Sequence, residues 1–581
     1  MVNVTIDGKQ VAVADGTTIL DAAREVGISI PTLCYLANFN HIGACRVCVV
    51  EVEGINRLIS SCNTPVREGM VVYTNSPKVR RARRTNTAIM LSHHDCNCPT
   101  CVRSGNCTLQ DLANSLGLLE VEFPKKLNTF SDDKNFPLIR DNAKCINCMR
   151  CVQVCEKIQG IGVWDLISTG TQARVDVANH RSLTESDCVL CGQCITHCPC
   201  GALRERDDTQ RVFDALGDPE VTTIIQVAPA VRTSWYEGVG LPQEQGSVGR
   251  MVAAIRALGF DYVFDTDFSA DVTIMEEGTE LLHHLAEPEK HAWPMITSCC
   301  PGWIRHCKAA NPDFVDRLST TKSPQQIFGA LAKSYYAQIL GIDPKKLFVV
   351  SVMPCLAKKA ECDYGVIDNA GAGNDVDIAL TVRELDRMIR ADHINVAALE
   401  EEEWDMPLGV ASGAGHIFGV TGGVMEAALR TAAAIVNGED PDPDLFGDIR
   451  EREGWREYSY QLGEKTLKIA VAHGLNNADA MLDAIRKGQV SYDFVEVMAC
   501  PGGCAGGGGQ PIHEGQELAG DRADILYGLD AEAELRFSHN NPSVTACYQQ
   551  FLGEPNSELA EELLHTNHHL WTMPNEKPVK A

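Results

Sequence analysis

Two short runs of cysteine, spaced alike, limit what this chain can fold into more than any other feature. Cys145, Cys148, Cys151 and Cys155 read C-x2-C-x2-C-x3-C, and Cys188, Cys191, Cys194 and Cys198 repeat that spacing 43 residues later, with Pro199 following. Such a run lets three thiolates from one tight loop reach three irons of a cubane while the fourth reaches a neighbouring cluster. The doubled spacing therefore predicts two [4Fe-4S] clusters. One takes Cys145, Cys148, Cys151 and Cys198, and the other takes Cys188, Cys191, Cys194 and Cys155. Zinc prefers two C-x2-C pairs and fits a duplicated three-plus-one pattern poorly.

The chain holds 25 cysteines in 581 residues, far more than an ordinary cytosolic enzyme needs. The opening residues Met1 to Gly8 alternate like a strand and carry no secretory signal. The basic cluster Arg80, Arg81, Arg83 and Arg84 is internal. No apolar run is long enough for a membrane span. The expectation is a cytoplasmic protein whose thiols bind metals or do chemistry, not a secreted disulfide protein. A formal charge of -27 argues against nucleic-acid binding, and suits a partner with a basic docking face.

Two more groups precede the doubled run. Cys34, Cys45, Cys48 and Cys62 form C-x10-C-x2-C-x13-C. They sit in a small β domain with strands Val2–Ile6 and Val11–Ala14 about an Asp7-Gly8 turn. A helix from Ile19 to Val26 follows, capped by Thr17 or Thr18 and stopped by Gly27. Plant-type ferredoxins use another middle spacing, so this reads as a variant [2Fe-2S] site, with a zinc ribbon as the alternative. His94, Cys98, Cys101 and Cys107 form H-x3-C-x2-C-x5-C after a basic helix from about Lys78 to Leu91. On spacing alone His93 or Cys96 competes with His94 as a ligand.

After about residue 208 the composition shifts to glycine-rich α/β structure. Ile224–Val227, Leu347–Val352, Ile469–Ala472 and Phe494–Met498 read as buried strands. Ligand sites are expected at the carboxyl ends of such strands. Three loops stand out: Thr297 to Trp303 around Cys299 and Cys300, Met353 to Glu361 around Cys355, and Glu496 to Pro511 around Cys500 and Cys504. Cys300, Cys355, Cys500 and Cys504 supply four thiolates for a further cubane.

These three loops resemble the signature motifs of the [FeFe]-hydrogenases, and the resemblance covers nearly the whole chain. It implies a multidomain α/β protein of four parts. Residues 1–78 form a plant-ferredoxin-like β-grasp [2Fe-2S] domain, and 79–125 a small domain whose [4Fe-4S] cluster is held by His94, Cys98, Cys101 and Cys107. Residues 126–208 form a two-cluster bacterial-ferredoxin-like domain, and 209–581 a two-lobed H-cluster domain with a C-terminal tail. The resemblance implies an H-cluster on Cys300, Cys355, Cys500 and Cys504. This is a [4Fe-4S] part bridged by Cys504 to a diiron subcluster with CO, cyanide and a dithiolate amine. With three accessory [4Fe-4S] clusters and one [2Fe-2S] cluster, the reaction implied is the reversible interconversion of H2 with protons and electrons.

Neighbouring residues acquire roles by the same resemblance. Lys358 matches a cation beside one cyanide, and Pro229 and Ala230 match a loop near the other. Some relatives carry Ser where this chain has Ala230. Met353 and Met498 match soft contacts to the diiron unit, and Gln325 and Phe418 match pocket-lining positions. Cys299, Glu277, Ser319 and Glu280 match a proton path, although Glu277 and Glu280 by spacing alone read as a solvated helix face. Relatives often end that path with Arg where this chain has His284. Cys96, Cys200, Cys307, Cys362 and Cys547 are read as structural thiols, with Cys362 near the pocket. Glu400–Glu403 and Asp440–Asp444 are read as solvated loops.

The first 200 or so residues also resemble cluster modules of the large NADH-dehydrogenase subunit. This points to a catalytic subunit working with flavin- and NAD(H)-binding partners and ferredoxin, including the electron-bifurcating type. Ser412-Gly413-Ala414-Gly415 has the wrong spacing for a dinucleotide fingerprint, which places any NAD site on another chain. The alternatives are a monomeric ferredoxin-dependent hydrogenase and an iron–sulfur assembly relative without the diiron unit.

Overall fold

In the computed structural model, which describes residues 1–129, 133–513 and 516–575, the chain begins with a hairpin. Asp7 (φ 46°) and Gly8 (φ 81°) take the left-handed conformations that a two-residue hairpin loop requires. That turn pairs Ile6 with Lys9, so the second strand is Lys9–Val13, starting two residues before the strand read from alternation. These strands join a five-stranded sheet in the order Lys9–Val13, Val2–Ile6, Met70–Tyr73, Val49–Val52, Ile59–Ser60. Thr18 caps the helix Ile19–Glu25 by accepting from Asp21 N–H at 3.2 Å. Val4, Ile6, Ile19, Leu20, Val50 and Val72 close the core between helix and sheet.

The basic helix spans Pro77–Ser92, with Ser76 as its cap and Pro77 in the first turn, where its missing N–H costs nothing. Its Arg83 is buried and donates to Val47 O and Val49 O, which ties the helix to the sheet. The helix Arg150–Lys157 carries Cys151 and Cys155 of the first doubled run, Cys145 and Cys148 lie in the loop before it, and the hairpin Trp164–Ile167 with Arg174–Val177 follows.

By contacts the chain divides into two units. One comprises Met1–Leu183 and Cys194–Arg204, and the other Thr184–Gln193 and Glu205–Ala581. The second unit contains two sheets. The first is fully parallel, in the order Tyr262–Asp265, Thr222–Val227, Leu347–Met353, Ile378–Thr381. In the second, Met295–Ile296, Phe494–Met498 and Lys465–His473 are parallel, and Trp455–Leu462 pairs antiparallel at the edge. The strand interiors are buried, as their Val- and Ile-rich sequences suit parallel strands covered on both faces. Burying each such side chain contributes about 1.5–3 kcal/mol.

The helix Thr266–Ala286 is buried over most of its length. Glu276, Glu277 and Glu280 lie inside, so the solvated-face reading of the Glu277 and Glu280 spacing is corrected. Spacing reports which residues share a face, not what covers it. Glu400–Glu403 lies exposed, and Asp440, Asp442 and Asp444 are exposed in their loop. Among the described residues no helix is long and apolar enough to cross a membrane.

Candidate functional site

All three distinctive loops leave the carboxyl ends of parallel strands in the second unit. Cys299 and Cys300 follow Met295–Ile296, Cys355 follows Leu347–Met353, and Cys500 follows Phe494–Met498. The loops close on one another. Ala499 N–H points at Cys300 Sγ at 3.5 Å, and Gly509 N–H donates to Pro354 O at 2.9 Å. Gly509 must be glycine, because a Cβ there would lie 2.7 Å from Cys355 N.

Burial pushes the thiols of Cys300, Cys355, Cys500 and Cys504 up, Cys355 to about 11. Their proximity adds to this: Cys355, Cys300 and Cys504 each raise Cys500. Four desolvated thiols, Cys500 buried and the other three half-buried, that repel one another as thiolates are a costly arrangement in a plain core. They become favourable around a polycationic metal group, which deprotonates its thiol ligands outright. The donor set and the close-packed loops fit a cubane.

Lys358 lies on the short helix Ala357–Cys362, anchored by Lys359, whose Nζ reaches Asp208 at 2.8 Å and Glu384 at 2.9 Å. Lys358 Nζ donates to Cys299 O at 3.2 Å and pairs with Glu361 Oε2 at 3.0 Å. Burial alone would lower its pKa, but Glu361, Cys355 and Cys299 outweigh that and hold it as a cation. Gln325 donates to Lys358 O at 3.3 Å, Glu361 Oε2 at 2.9 Å and Cys362 Sγ at 3.5 Å. This puts Cys362 beside the pocket. Pro229 and Ala230 are buried, and Ala230 shares an apolar cluster against which Cys504 packs. Phe418 and Met498 share another that holds Cys299 and Cys300, and Met353 packs in a third with Cys355.

Cys299 is half-buried, and desolvation followed by the Glu277 charge raises its pKa, which keeps it a thiol. Burial and then the Glu280 charge push Glu277 up to about 8. Ser319 lies close enough to Glu277 to offset part of that rise, and its hydroxyl donates to Glu280 Oε2 at 2.6 Å. Groups able to carry a proton thus lie in order from Cys299 to Glu280.

Sequence reasoning missed three residues here. Glu361 is the counter-ion of Lys358, one turn on. Gln510 donates to Ala230 O at 3.1 Å and Cys504 O at 3.4 Å, joining two loops. Glu496 accepts from Gly422 N–H and Met425 N–H. Only the spacing of Lys358 and Glu361 on a helix carried a signal.

The segment Thr184–Gln193, with Cys188 and Cys191, belongs to the same unit. Arg305 donates twice to Cys188 O, Gln193 donates to Gly506 O at 2.8 Å, and Cys500 Sγ lies 3.6 Å from Cys191 O. Gly508 lets this segment approach, since its Cβ would lie 2.2 Å from Cys191 O.

In the first unit Cys145, Cys148, Cys151 and Cys198 line one cavity, joined by Cys200. The hydrogen bond from Cys200, opposed by burial, brings Cys198 down to about 6. The Cys34 and Cys45 thiols share a hydrogen bond, as do Cys48 and Cys62, a two-plus-two grouping that suits a two-iron cluster. Of the competing ligands near the second group, His94 is buried and His93 exposed. His94 Nδ1 lies 2.9 Å from Lys144 O, which fixes the proton there and leaves Nε2 as the donor to a metal. Cys96 is exposed and bonded by Lys125 Nζ at 3.1 Å. Cys101 packs so close to Gly201 that a Cβ there would meet its sulfur at 2.5 Å. His94→Ala should remove one accessory cluster, read as lost iron and a changed paramagnetic resonance spectrum. An unchanged spectrum would move the ligand role to His93 or Cys96.

Sets of desolvated thiols on glycine-bearing loops at the ends of parallel strands define an iron–sulfur oxidoreductase. The family comparisons make this specific. Residues 221–508 match the model for the iron-only hydrogenase large subunit, C-terminal domain, and 516–571 that for the iron hydrogenase small subunit. Residues 1–77 match a 2Fe-2S cluster binding domain, 83–122 the NADH-ubiquinone oxidoreductase-G iron-sulfur binding region, and 144–202 a 4Fe-4S dicluster domain. The chain is 47% identical to the NADP-reducing hydrogenase subunit HndD of Solidesulfovibrio fructosivorans, over 98% of this chain and 99% of that protein. It is 37% identical to iron hydrogenase 1 of Clostridium pasteurianum, over 97% and 99%. An apo variant of the [FeFe]-hydrogenase HydA1 from Chlamydomonas reinhardtii superposes with TM-score 0.56 at 38% identity, covering 63% of this chain and 99% of that one. The chain belongs to the iron-only, or [FeFe], hydrogenases. It combines an H-cluster domain with N-terminal 2Fe-2S and 4Fe-4S ferredoxin-like domains.

Proposed function

We propose that this hydrogenase is the catalytic subunit of a multisubunit, NAD(P)- and ferredoxin-linked complex of the electron-bifurcating type, with flavin- and NAD(H)-binding partner chains. The observation that carries this is the end-to-end match to a protein described as a subunit of an NADP-reducing hydrogenase. Residues 83–122 add support through their match to an NADH-ubiquinone oxidoreductase region.

Within the chain, Cys300, Cys355, Cys500 and Cys504 hold the H-cluster. Three accessory [4Fe-4S] clusters and one [2Fe-2S] cluster take the ligand sets read from the spacing. The division at residues 78, 125 and 208 follows the same reading, with a β-grasp first part and two lobes in the last. When bound, the diiron group supplies heterolytic cleavage of H2 and its reverse. The chain's own residues do the rest. Lys358 offers a fixed cation to an anionic ligand. Pro229, Ala230, Met353, Met498 and Phe418 keep the pocket apolar and dry, and Gln325 holds the Lys358 and Glu361 pair in place. Cys299, Glu277, Ser319 and Glu280 move protons between the pocket and the surface.

The test is native purification without oxygen, followed by infrared spectroscopy and assays with ferredoxin alone, NAD(P) alone and both. The expected result is bands from bound CO and cyanide, copurifying flavoprotein, and full activity only with both carriers. Full activity with ferredoxin alone from an isolated chain would establish the monomeric alternative. Absent bands after complete maturation would remove the H-cluster assignment.

A further inference from the structure

Glu280 is surrounded by hydrogen-bond donors, and only one of their side chains faces solvent. Its Oε2 accepts from Ser319 Oγ at 2.6 Å and Thr321 Oγ1 at 3.4 Å. Its Oε1 accepts from Thr320 N–H at 3.2 Å and Thr320 Oγ1 at 3.4 Å. Ser319 and Thr321 are buried, whereas Thr320 is exposed. The Thr320 hydroxyl also bonds Nδ1 of His565 at 2.8 Å. Nε2 of His565 pairs with Glu276 Oε2 at 3.0 Å, and Glu276 has no exposed side-chain surface. Glu276 lies one turn before Glu280 on the helix Thr266–Ala286 and also accepts from Tyr548 and from Asn556 N–H. Glu276 so held accepts from Nε2–H, which leaves Nδ1 of His565 facing the Thr320 hydroxyl.

His565 and Glu280 line one surface groove together with His283, His284, His291 and Glu562. His284, the position where relatives carry Arg, is arranged differently. Its ring stacks on His291 with centroids 3.7 Å apart, and its Nδ1 has no partner. Among the described residues no hydrogen bond joins it to Glu280.

We propose that His565 is the outer proton-relay residue of this hydrogenase, passing protons between the surface groove and Glu280 through the Thr320 hydroxyl. This rests on the reading of Glu280 as the outer carboxylate of the path. In the inward direction, groove water protonates His565 at Nδ1 while Glu276 balances the charge. The Nδ1–H bond then breaks as a new O–H bond forms on Thr320. The proton that Thr320 already carried passes to Glu280 Oε1, and the hydroxyl rotates back. In H2 oxidation the same transfers run outward. Only protons move, and no electron is exchanged.

The position of His565 is set by the backbone. Thr321 and His565 form a β-bridge, Lys322 N–H donates to Leu564 O at 2.8 Å, and Thr566 N–H donates to Thr320 O at 2.8 Å. A side-chain change at residue 565 therefore leaves the strand contact in place.

The test compares His565→Gln and Glu280→Gln in the matured holoenzyme by dye-linked H2 evolution across pH. Carboxylates facing His565 are Glu276 directly, Glu280 through Thr320, and Glu561 and Glu562 along the groove, so the whole profile is recorded. The expected result for His565→Gln is turnover lowered about tenfold or more, an altered pH profile, partial rescue by added imidazole, and unchanged iron content and infrared bands. Full turnover in His565→Gln beside an inactive Glu280→Gln overturns the proposal and leaves the path intact. Loss without imidazole rescue and with an unaltered pH profile also overturns it, because that marks a structural role. Full turnover in Glu280→Gln overturns the path itself.

Discussion

Cys299→Ser leaves the clusters in place and lowers hydrogen turnover by about two to four orders of magnitude, the range a positioned proton-transfer group contributes. Cys299 is spare in the ligand count, so its loss removes no iron. Its environment is desolvated and already unfavourable to charge, with Glu277 and Cys300 both raising its pKa. A serine there is far less acidic than the thiol and resists giving up its proton still more. The measurement is H2 evolution and oxidation at matched iron content, with infrared bands as the control for cofactor. Full activity in the variant would take Cys299 out of the proton path.

The second large effect is at Glu277, and it runs in opposite directions for activity and stability. Glu277→Gln breaks the run of proton carriers, and turnover falls by about two orders of magnitude or more. Burial, followed by the Glu280 charge, raises the Glu277 pKa from the usual carboxylate value to about 8. The unfolded chain releases this proton near the ordinary glutamate value, whereas the folded chain keeps it until about pH 8. Folding stability therefore falls as pH rises between those two values, and the penalty is complete above pH 8. Glutamine does not ionise. The variant should gain melting temperature relative to the parent as pH rises from 5 to 8, with a constant difference above that. A difference in melting temperature that does not change with pH would show that Glu277 is not a shifted group.

How much of this was legible in the sequence differs from feature to feature. The hairpin at Asp7-Gly8, the basic helix read from about Lys78 and the strands read as Leu347–Val352 and Phe494–Met498 all follow from local chemistry. Turn residues, helix-forming periodicity and Val-rich apolar runs act within a few positions of one another. The exact ends did not follow as well. The second strand begins at Lys9 because the turn sets the register, and the helix from Ile19 ends at Glu25, leaving Val26 as its cap.

Spacing alone left His93 and His94 open and only the family resemblance favoured His94; what sets it physically is Lys144 O, fifty residues away. The same holds for Glu277 and Glu280. Three-residue spacing put them on one helix face, but only packing of that helix inside the second unit decided that the face is dry. Glu361, Gln510 and His565 carried little or no pattern of their own, since each acts on a partner brought close only by folding.

The sequence by itself determined the chemistry of this protein: the cysteine spacings name the kinds of cluster, and three long loops name the family. Spacing suffices there because the metal group dictates how its ligands lie along a loop. Only the tertiary structure decided where charge and protons reside. Burial and the meeting of loops from separate strands raise the Cys299 thiol and the Glu277 carboxyl, and the pairing of residues 564–566 with 320–322 brings His565 to Thr320. Those energies depend on solvent exclusion and on distances that no linear pattern records.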